Sequence, residues 1–137
     1  MAVNLQRRVD YPMLDTANIA YYPRIYDLAH RFFEESWEKI CGISYPVIIN
    51  EHRLGFPAVS TSSTHHSPLR YGDTVCCILS VSKVGKSSTV WNYSFSDQTG
   101  RLVWTGEVTT VCVNLESFES IEIPSIFADA LHNFSEN

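Results

Sequence analysis

Tyr11-Pro-Met-Leu-Asp-Thr-Ala-Asn-Ile-Ala-Tyr-Tyr-Pro-Arg24 is the stretch that decides the fold, because it separates a strand-like N-terminus from the longest helical pattern in the chain. Asp15 is the one acid between Tyr11 and Pro23. Proline is common at the first helical position, so Pro23 favours a helix start here. A carboxylate therefore precedes a helix N-terminus, whose free N–H groups and partial positive charge favour a developing oxyanion. We predict that these two features together form the active site.

The helical pattern downstream of this stretch runs from Pro23 to Cys41 and ends at Gly42, a typical C-terminal stop. Its charged residues fill one face, and its apolar face is wide and aromatic, which predicts a helix lying deep against a sheet. The residues that recur at three- and four-residue spacing are Ile25, Leu28, Ala29, Phe32, Phe33, Ser36, Trp37 and Ile40.

Alternating apolar residues predict strands on both sides of this helix. The predicted strands are Leu5 to Pro12, Ala58 to Ser67, Thr74 to Lys83, Ser87 to Ser96 and Arg101 to Leu115. Ile43 to Leu54 reads as a connection, and Ser125 to Phe134 as a short final helix. The order predicts an α+β domain, with an antiparallel five-stranded sheet and one long helix. A single helix covers only one sheet face, so we expect a homo-oligomer.

Composition and charge exclude several classes of protein. With 137 residues, 45% of them hydrophobic, and a net charge of −5, the chain reads as one globular domain spanning residues 1–137. No cluster of Lys and Arg stands in the sequence, so no nucleic-acid partner is expected. No apolar run approaches membrane-spanning length and no signal pattern opens the chain, so we expect a cytoplasmic protein with no membrane partner.

The cysteines, histidines and serines of the chain form no motif typical of a redox site or of a serine hydrolase. Its four cysteines sit among apolar residues without a C-x-x-C pair, which favours buried free thiols, although a metal site through them stays open. His65 and His66 are adjacent on a predicted strand and face opposite sides, so at most one points into a site. No serine lies in a G-x-S-x-G motif, which argues against a serine hydrolase.

Three short motifs carry a resemblance to a known family. Asp15 to Pro23 resembles the D-x-x-G-x-V-[YW]-[YFH] segment of the hotdog-fold acyl-CoA thioesterases, and is most similar to the 4-hydroxybenzoyl-CoA thioesterase branch. Gly55-Phe-Pro-Ala-Val59 is similar to the G-x-P-x-V that opens the family's second strand, and Pro68 to Asp73 to its P-x-x-x-G-D turn. The spacing of the three motifs and the strand-helix-strand order agree with the family over nearly the whole chain.

The resemblance implies an architecture and a set of roles. It implies a curved sheet wrapped around the long helix, two subunits that join their sheets, and a thioester site at their interface. Asp15 would be the catalytic carboxylate, as a nucleophile or as a base for water. Tyr22 matches the residue whose backbone N–H polarises the thioester carbonyl, and its identity as tyrosine favours an aromatic acyl group. No metal or organic cofactor is expected.

The resemblance also names residues for the rest of the substrate. Lys86 and Ser87 fall where relatives hold the phosphates of CoA, and Arg70 is a further candidate. Asn18 stands where the family has glycine, near the point where the backbone meets the substrate. Asparagine tolerates left-handed angles, so the turn is expected to survive this change.

Alternatives remain open for each of these assignments. Asp15 can be explained as an Asx-turn residue, and each of the cations as a solvated turn charge. Some relatives place the catalytic carboxylate on the long helix, where this chain has Glu34, Glu35 and Glu38. The rival functions are an aliphatic or polyketide acyl thioesterase, and a dimer that binds an acyl-CoA or acyl-carrier group without turnover.

Overall fold

The computed structural model describes residues 1–136 as one antiparallel sheet with helices packed on one of its faces. Asn137, the last residue of the predicted domain 1–137, lies outside the described residues. The elements, in chain order, are β1 (Ala2–Arg8), α1 (Tyr22–Cys41), α2 (Tyr45–Asn50), β2 (Leu54–Gly55), β3 (Ala58–His65), β4 (Thr74–Val84), β5 (Ser88–Ser96), β6 (Leu102–Val111), β7 (Val113–Asn114) and α3 (Ser125–Glu136).

The main sheet has the strand order β1-β4-β5-β6-β3, with every neighbouring pair antiparallel. Alternate residues of β5 turn toward the helices and are buried: Thr89, Trp91, Tyr93 and Phe95. This period of two is what a strand with one covered face requires. The short strands β2 and β7 form a separate antiparallel pair.

Helix α1 lies against the buried face of the sheet through its aromatic side. The Phe33 and Trp91 rings are 5.0 Å apart, and the Phe32 and Phe95 rings 5.4 Å apart, both edge to face. Such pairs add to the stabilisation from apolar burial. Gly42 ends the helix with a left-handed φ of 75°, so the predicted stop is confirmed. Of the predicted apolar face, all members but Ile40 are buried.

Helix α3 packs in the same helical layer as α1, because the ring centroids of its buried Phe127 and of Trp37 on α1 are 6.1 Å apart. The sheet face is therefore covered by α3 as well as by α1, and the final helix predicted from Ser125 to Phe134 is confirmed. None of the helices within residues 1–136 is both long enough and apolar enough to span a membrane.

Three predicted boundaries were wrong. The first strand is Ala2–Arg8 instead of Leu5 to Pro12, because Tyr11–Met13 forms a 3-10 turn around Pro12, and proline has no N–H for a strand ladder. The connection Ile43 to Leu54 contains the helix α2, which also begins with a proline near its first position. The last predicted strand divides at Cys112 into β6 and β7.

The predicted α+β class and the hotdog arrangement of a five-stranded antiparallel sheet with one long helix are confirmed. The two edges of the sheet are β1 and β3. Edge β3 carries no Lys, Asp or Glu, and all but one of its residues are exposed, with Val59 at 60%.

Candidate active site

The segment that carries Asp15 is a tight turn held at both ends. Leu14 and Ala20 form an antiparallel bridge, and the Asp15 N–H donates to the carbonyl of Ile19 at 3.0 Å. Asn18 has a φ of 61°, so the asparagine supplies the left-handed backbone that glycine supplies in the family motif. The turn is therefore intact, as expected from the tolerance of asparagine for this conformation.

Asp15 itself is exposed and forms the Asx turn that was its alternative explanation. Its Oδ1 accepts the Ala17 N–H at 2.8 Å. Within residues 1–136, its Oδ2 accepts no hydrogen bond, so one carboxylate oxygen is available to solvent or a ligand. The Asx turn fixes the direction of the carboxylate and leaves it able to act as a nucleophile or base.

Helix α1 begins beside this turn, and no side chain of residues 1–136 caps its first N–H groups. Tyr21 is the N-cap residue, and its N–H donates to the carbonyl of Met13 at 2.8 Å. The Tyr22 N–H is the first of the helix, and no backbone carbonyl of residues 1–136 accepts it. Uncapped N–H groups at a helix start attract negative charge. Asp15 thus lies on a turn held by backbone hydrogen bonds, here called the pinned turn, and the Tyr22 N–H begins the helix that follows this turn.

The motif Pro68 to Asp73 lies directly against the same turn. Ile19 forms a bridge with Arg70, and the Ala20 N–H donates to the carbonyl of Leu69 at 2.8 Å. The Arg70 N–H in turn donates to the Asp73 carboxylate. The Arg70 backbone therefore lies beside the turn that carries Asp15.

The edge strand β3 runs along the first two turns of helix α1. The Tyr22 ring contacts the His65 ring at 6.4 Å, and the Tyr26 hydroxyl shares a hydrogen bond of 2.6 Å with the Ser63 hydroxyl. His66 turns the other way and bonds Thr105. Of the two adjacent histidines, His65 is thus the one that faces the helix start.

Lys86 and Ser87 are not brought to this end of the sheet within one chain. Their turn joins β4 to β5, and the Ser87 carbonyl accepts the Cys112 N–H at 2.8 Å. The N–H of Val111, the residue before Cys112, donates to the carbonyl of Pro57, so this turn lies level with Ala58, the first residue of β3. The Tyr22 ring instead contacts His65, the last residue of β3. Within one subunit, Lys86 and Ser87 therefore lie near the opposite end of β3 from Tyr22 and the Asp15 turn.

A cluster of arginines was missed by the sequence reasoning. Four of the seven arginines in the chain line one cleft of about 230 Å³ beside Pro12 and Met13: Arg7, Arg8, Arg24 and Arg31. Arg8 pairs with Asp10, Arg31 with Asp27 and Arg7 with Glu35, whereas Arg24 pairs with no acid within residues 1–136. The only signal in the sequence was that Arg24 and Arg31 are seven residues apart and so share a helix face.

The glutamates of α1 have other partners. Glu35 bonds Arg7, and Glu34 lies 3.3 Å from His30. Glu38 is exposed, one helical turn further from the Tyr22 end than Glu34. These positions agree with the polar face predicted for them.

The cysteines are free thiols, of which Cys77 and Cys112 are buried and the other two half-buried. Burial raises the pKa of the Cys112 thiol to about 11, so it stays protonated near neutral pH. Burial also raises the pKa of Cys77. Within residues 1–136, no cluster of three or more His, Cys, Asp or Glu side chains is placed to hold a metal ion.

The sequence of the chain also fits a known family. The sequence model of the thioesterase superfamily matches residues 17–103, which is more than half of the chain. The chain belongs to the thioesterase superfamily. The match includes Asn18, Tyr22, Arg70, Lys86 and Ser87 and begins two residues after Asp15.

Solved structures that share this fold include two thioesterases. A 1,4-dihydroxy-2-naphthoyl-CoA thioesterase from Synechocystis has a TM-score of 0.85 at 20% identity, covering 97% of each chain. A gentisyl-coenzyme A thioesterase has a TM-score of 0.83 at 24% identity, covering 91% of this chain and 98% of its own. A hypothetical protein from Staphylococcus aureus in complex with CoA has a TM-score of 0.83 at 18% identity, covering 100% of this chain and 85% of its own.

Proposed function

We propose that this thioesterase-superfamily protein hydrolyses acyl-CoA thioesters, with Asp15 as nucleophile or general base and the N-terminus of α1 polarising the carbonyl. The observation that carries the proposal is the pinned turn itself, which joins an available carboxylate oxygen to an uncapped helix start. A thioester is a suitable substrate for this pair, because its thiolate leaves readily and its carbonyl oxygen gains charge in the transition state.

The chemistry balances without any further group. A C–O bond forms between water and the acyl carbon, the C–S bond breaks, and the CoA thiolate takes up a proton. Asp15 either removes the proton from the attacking water or attacks the carbonyl first and is then released by water. The Tyr22 N–H would donate to the carbonyl oxygen in both cases.

The identity of the acyl group stays a prediction. An aromatic group such as 4-hydroxybenzoyl is supported by the match at Tyr22 and by neighbours that act on dihydroxynaphthoyl-CoA and gentisyl-CoA. The aliphatic alternative is supported by the size of a cavity beside Tyr26. A cytoplasmic location also stays a prediction.

The phosphates of CoA need cations, and two sets are available at this end of the chain. Arg70 adjoins the Asp15 turn, and Arg24 stands unpaired in the arginine cleft next to Met13. Arginine suits phosphate because it donates two parallel hydrogen bonds. Lys86 and Ser87 would contribute only from a second subunit.

We propose a homodimer, with a tetramer as the larger option, in which β3 of one subunit pairs with β3 of the other. An exposed, uncharged edge strand is a ready template for another strand, and proteins that stay monomeric protect such edges with charges or proline. Val59→Lys should therefore lower the mass measured by sedimentation velocity without unfolding the chain. A wild-type protein that sediments as a monomer at all concentrations would contradict the dimer.

The test of the catalytic assignment compares two variants at one position. Tyr22→Pro removes the N–H that is proposed to polarise the carbonyl, while Tyr22→Ala removes the ring and keeps the N–H. Proline is tolerated at the start of a helix, so both variants should fold. Loss of one such donor costs about 10² to 10³ in kcat, so only the proline variant should lose activity on this scale.

The companion measurement is Asp15→Asn, assayed by thiol release across aryl and straight-chain acyl-CoAs. We expect a loss of about 10² or more on the best substrate. Unchanged activity would remove Asp15 from the mechanism. Tight binding of one acyl-CoA by the wild type without hydrolysis of any would favour the binding protein.

A further inference from the structure

A large cavity lies between the first half of helix α1 and the inner face of the sheet. Its volume is about 470 Å³. Ala29 and Phe33 form its helix side, Val108 and Tyr93 its sheet side, and Phe56 its end. The wall is mostly apolar, which is the environment that a hydrocarbon group prefers over water.

Most hydroxyls in the wall already have partners inside the protein. The Tyr45 hydroxyl accepts the Phe56 N–H at 3.2 Å, and the Thr110 hydroxyl accepts the Trp91 indole N–H at 3.0 Å. The Tyr26 hydroxyl is bound to Ser63. Thr61 and Tyr93 are the two whose hydroxyls make no bond within residues 1–136. A ring with several hydroxyl groups would therefore have to share hydroxyls that already accept an N–H, besides Thr61, Tyr93 and His30, and any hydroxyl buried unpaired is unfavourable.

The size of the cavity also separates the candidate acyl groups. A dry apolar cavity of about 150 Å³ binds one benzene molecule. The cavity beside α1 is roughly three times larger. On this scale a single benzoyl ring would leave about two-thirds of the cavity unfilled, whereas an alkyl chain of about ten carbon atoms would fill roughly half of it.

The cavity connects to the proposed thioester site along the seam between α1 and β3. Tyr22 and Tyr26 are one helical turn apart and face His65 and Ser63 on the strand. Tyr26 and the next inward-facing strand residue, Thr61, both line the cavity. A carbonyl held at the Tyr22 N–H would thus have the cavity about one turn further along the helix.

Phe118 stands at the mouth of the cavity in an unusual state. It lines the opening, is 77% exposed, and has a left-handed φ of 58°. Bulky residues rarely adopt this conformation. Asn114 holds it there, because its carbonyl accepts the Phe118 N–H at 2.7 Å. An exposed aromatic ring at the opening is placed to cover the end of a bound hydrocarbon.

From these observations we infer that the cavity is the acyl chamber and that it takes an unsubstituted alkyl chain of about ten carbons or more. The inference rests on the proposed function, since it names the acyl group of that reaction. Val108 and Ala29 set the width of the chamber, and Phe118 closes it.

The test measures kcat/KM for butanoyl-, hexanoyl-, octanoyl-, decanoyl- and 4-hydroxybenzoyl-CoA. Each buried methylene contributes about fourfold, so the value should rise by roughly this factor per methylene from hexanoyl to decanoyl. Val108→Phe should lower the decanoyl value at least about tenfold and leave butanoyl within about threefold. Val84→Phe is the matched control, because Val84 is a half-buried strand valine outside the chamber and should not alter the profile.

Three results would overturn the inference in an enzyme that hydrolyses acyl-CoA. The first is a kcat/KM that falls for acyl chains longer than hexanoyl. The second is a kcat/KM for 4-hydroxybenzoyl-CoA that exceeds the decanoyl-CoA value and that Tyr93→Phe lowers. The third is a folded Val108→Phe variant whose kcat/KM values follow chain length as in the wild type. Loss of all hydrolysis would instead contradict the proposed function. The chamber is then tested alone by calorimetry with decyl-CoA and ethyl-CoA thioethers. Decyl-CoA should bind at least about tenfold more tightly, and equal binding would contradict the chamber.

Discussion

Gly106 should be one of the positions where a single added methyl group is most damaging. A Cβ at this residue would collide with Cη2 of Trp104 and lie 2.7 Å from its Cζ2. The indole cannot swing away, because Trp104 is fully buried and its ring also contacts Phe95 at 4.8 Å and Tyr26 at 5.5 Å. Gly106→Ala therefore forces either the indole or strand β6 to move.

The size of the effect follows from two opposing contributions. Overpacking a well-packed core costs about 1 to 3 kcal/mol, and overlap with a trapped indole belongs at the upper end. Alanine recovers about 0.5 to 1 kcal/mol over glycine within a strand. We expect a net loss of about 2 kcal/mol in the free energy of unfolding, or roughly 6 to 10 °C in Tm for a chain of this size.

The assay is urea unfolding followed by far-ultraviolet circular dichroism at one protein concentration. Trp104→Phe removes the outer ring atoms that collide with the new methyl group, so it provides the matched background. In that background Gly106→Ala should cost less than about 1 kcal/mol, which gives a coupling energy above about 1 kcal/mol between the two positions. Equal losses in both backgrounds would show that the steric reasoning is wrong.

The other predictions concern charge and backbone geometry. Arg24→Gln should raise KM for acyl-CoA about three- to tenfold and leave the corresponding acyl-pantetheine unaffected, while exposed Arg53→Gln should change neither; equal effects on both thioesters would contradict a phosphate role. The Thr99 hydroxyl, bound to Asp97 at 2.6 Å, and nearby N–H groups lower the pKa of the Asp97 carboxyl. Its contribution to stability should therefore be constant above pH 5 and fade below about pH 4, so the unfolding free energies of wild type and Asp97→Asn should converge there. Asn18→Gly should keep the left-handed turn, whereas Asn18→Val should cost about 1 to 2 kcal/mol, measured by the same unfolding assay.

Local patterns predicted the elements whose burial follows their own periodicity. Helix α1 was predicted to within one residue, because one wide apolar stripe and a terminal glycine determine both its face and its end. The alternation of Trp91 and Phe95 likewise placed β5 correctly. Helix α2 was missed because it is only six residues long, too short for a helical period to stand out.

The arginine cleft was invisible for a different reason. Arg7 and Arg8 come from β1, while Arg24 and Arg31 come from α1, and only the packing of the helix against the sheet brings them together. Linear charge patterns detect runs of basic residues, and this chain has none. An acidic protein can thus hold a cleft in which arginines outnumber acids.

The proposed pairing of two β3 strands bears on the separation of Lys86 and Ser87 from Asp15 within one subunit. The Lys86 turn is level with the first residue of β3, and the Tyr22 end is level with the last. If two copies of β3 pair antiparallel about a two-fold axis, the first residue of one strand lies beside the last residue of the other. That pairing would carry Lys86 and Ser87 of one subunit to the end that holds Asp15 and Tyr22 of its partner. Failure of Lys86→Ala to raise KM for acyl-CoA in a confirmed dimer would separate the two ideas, because it would leave the pairing in place and assign the phosphates to Arg24 and Arg70 alone.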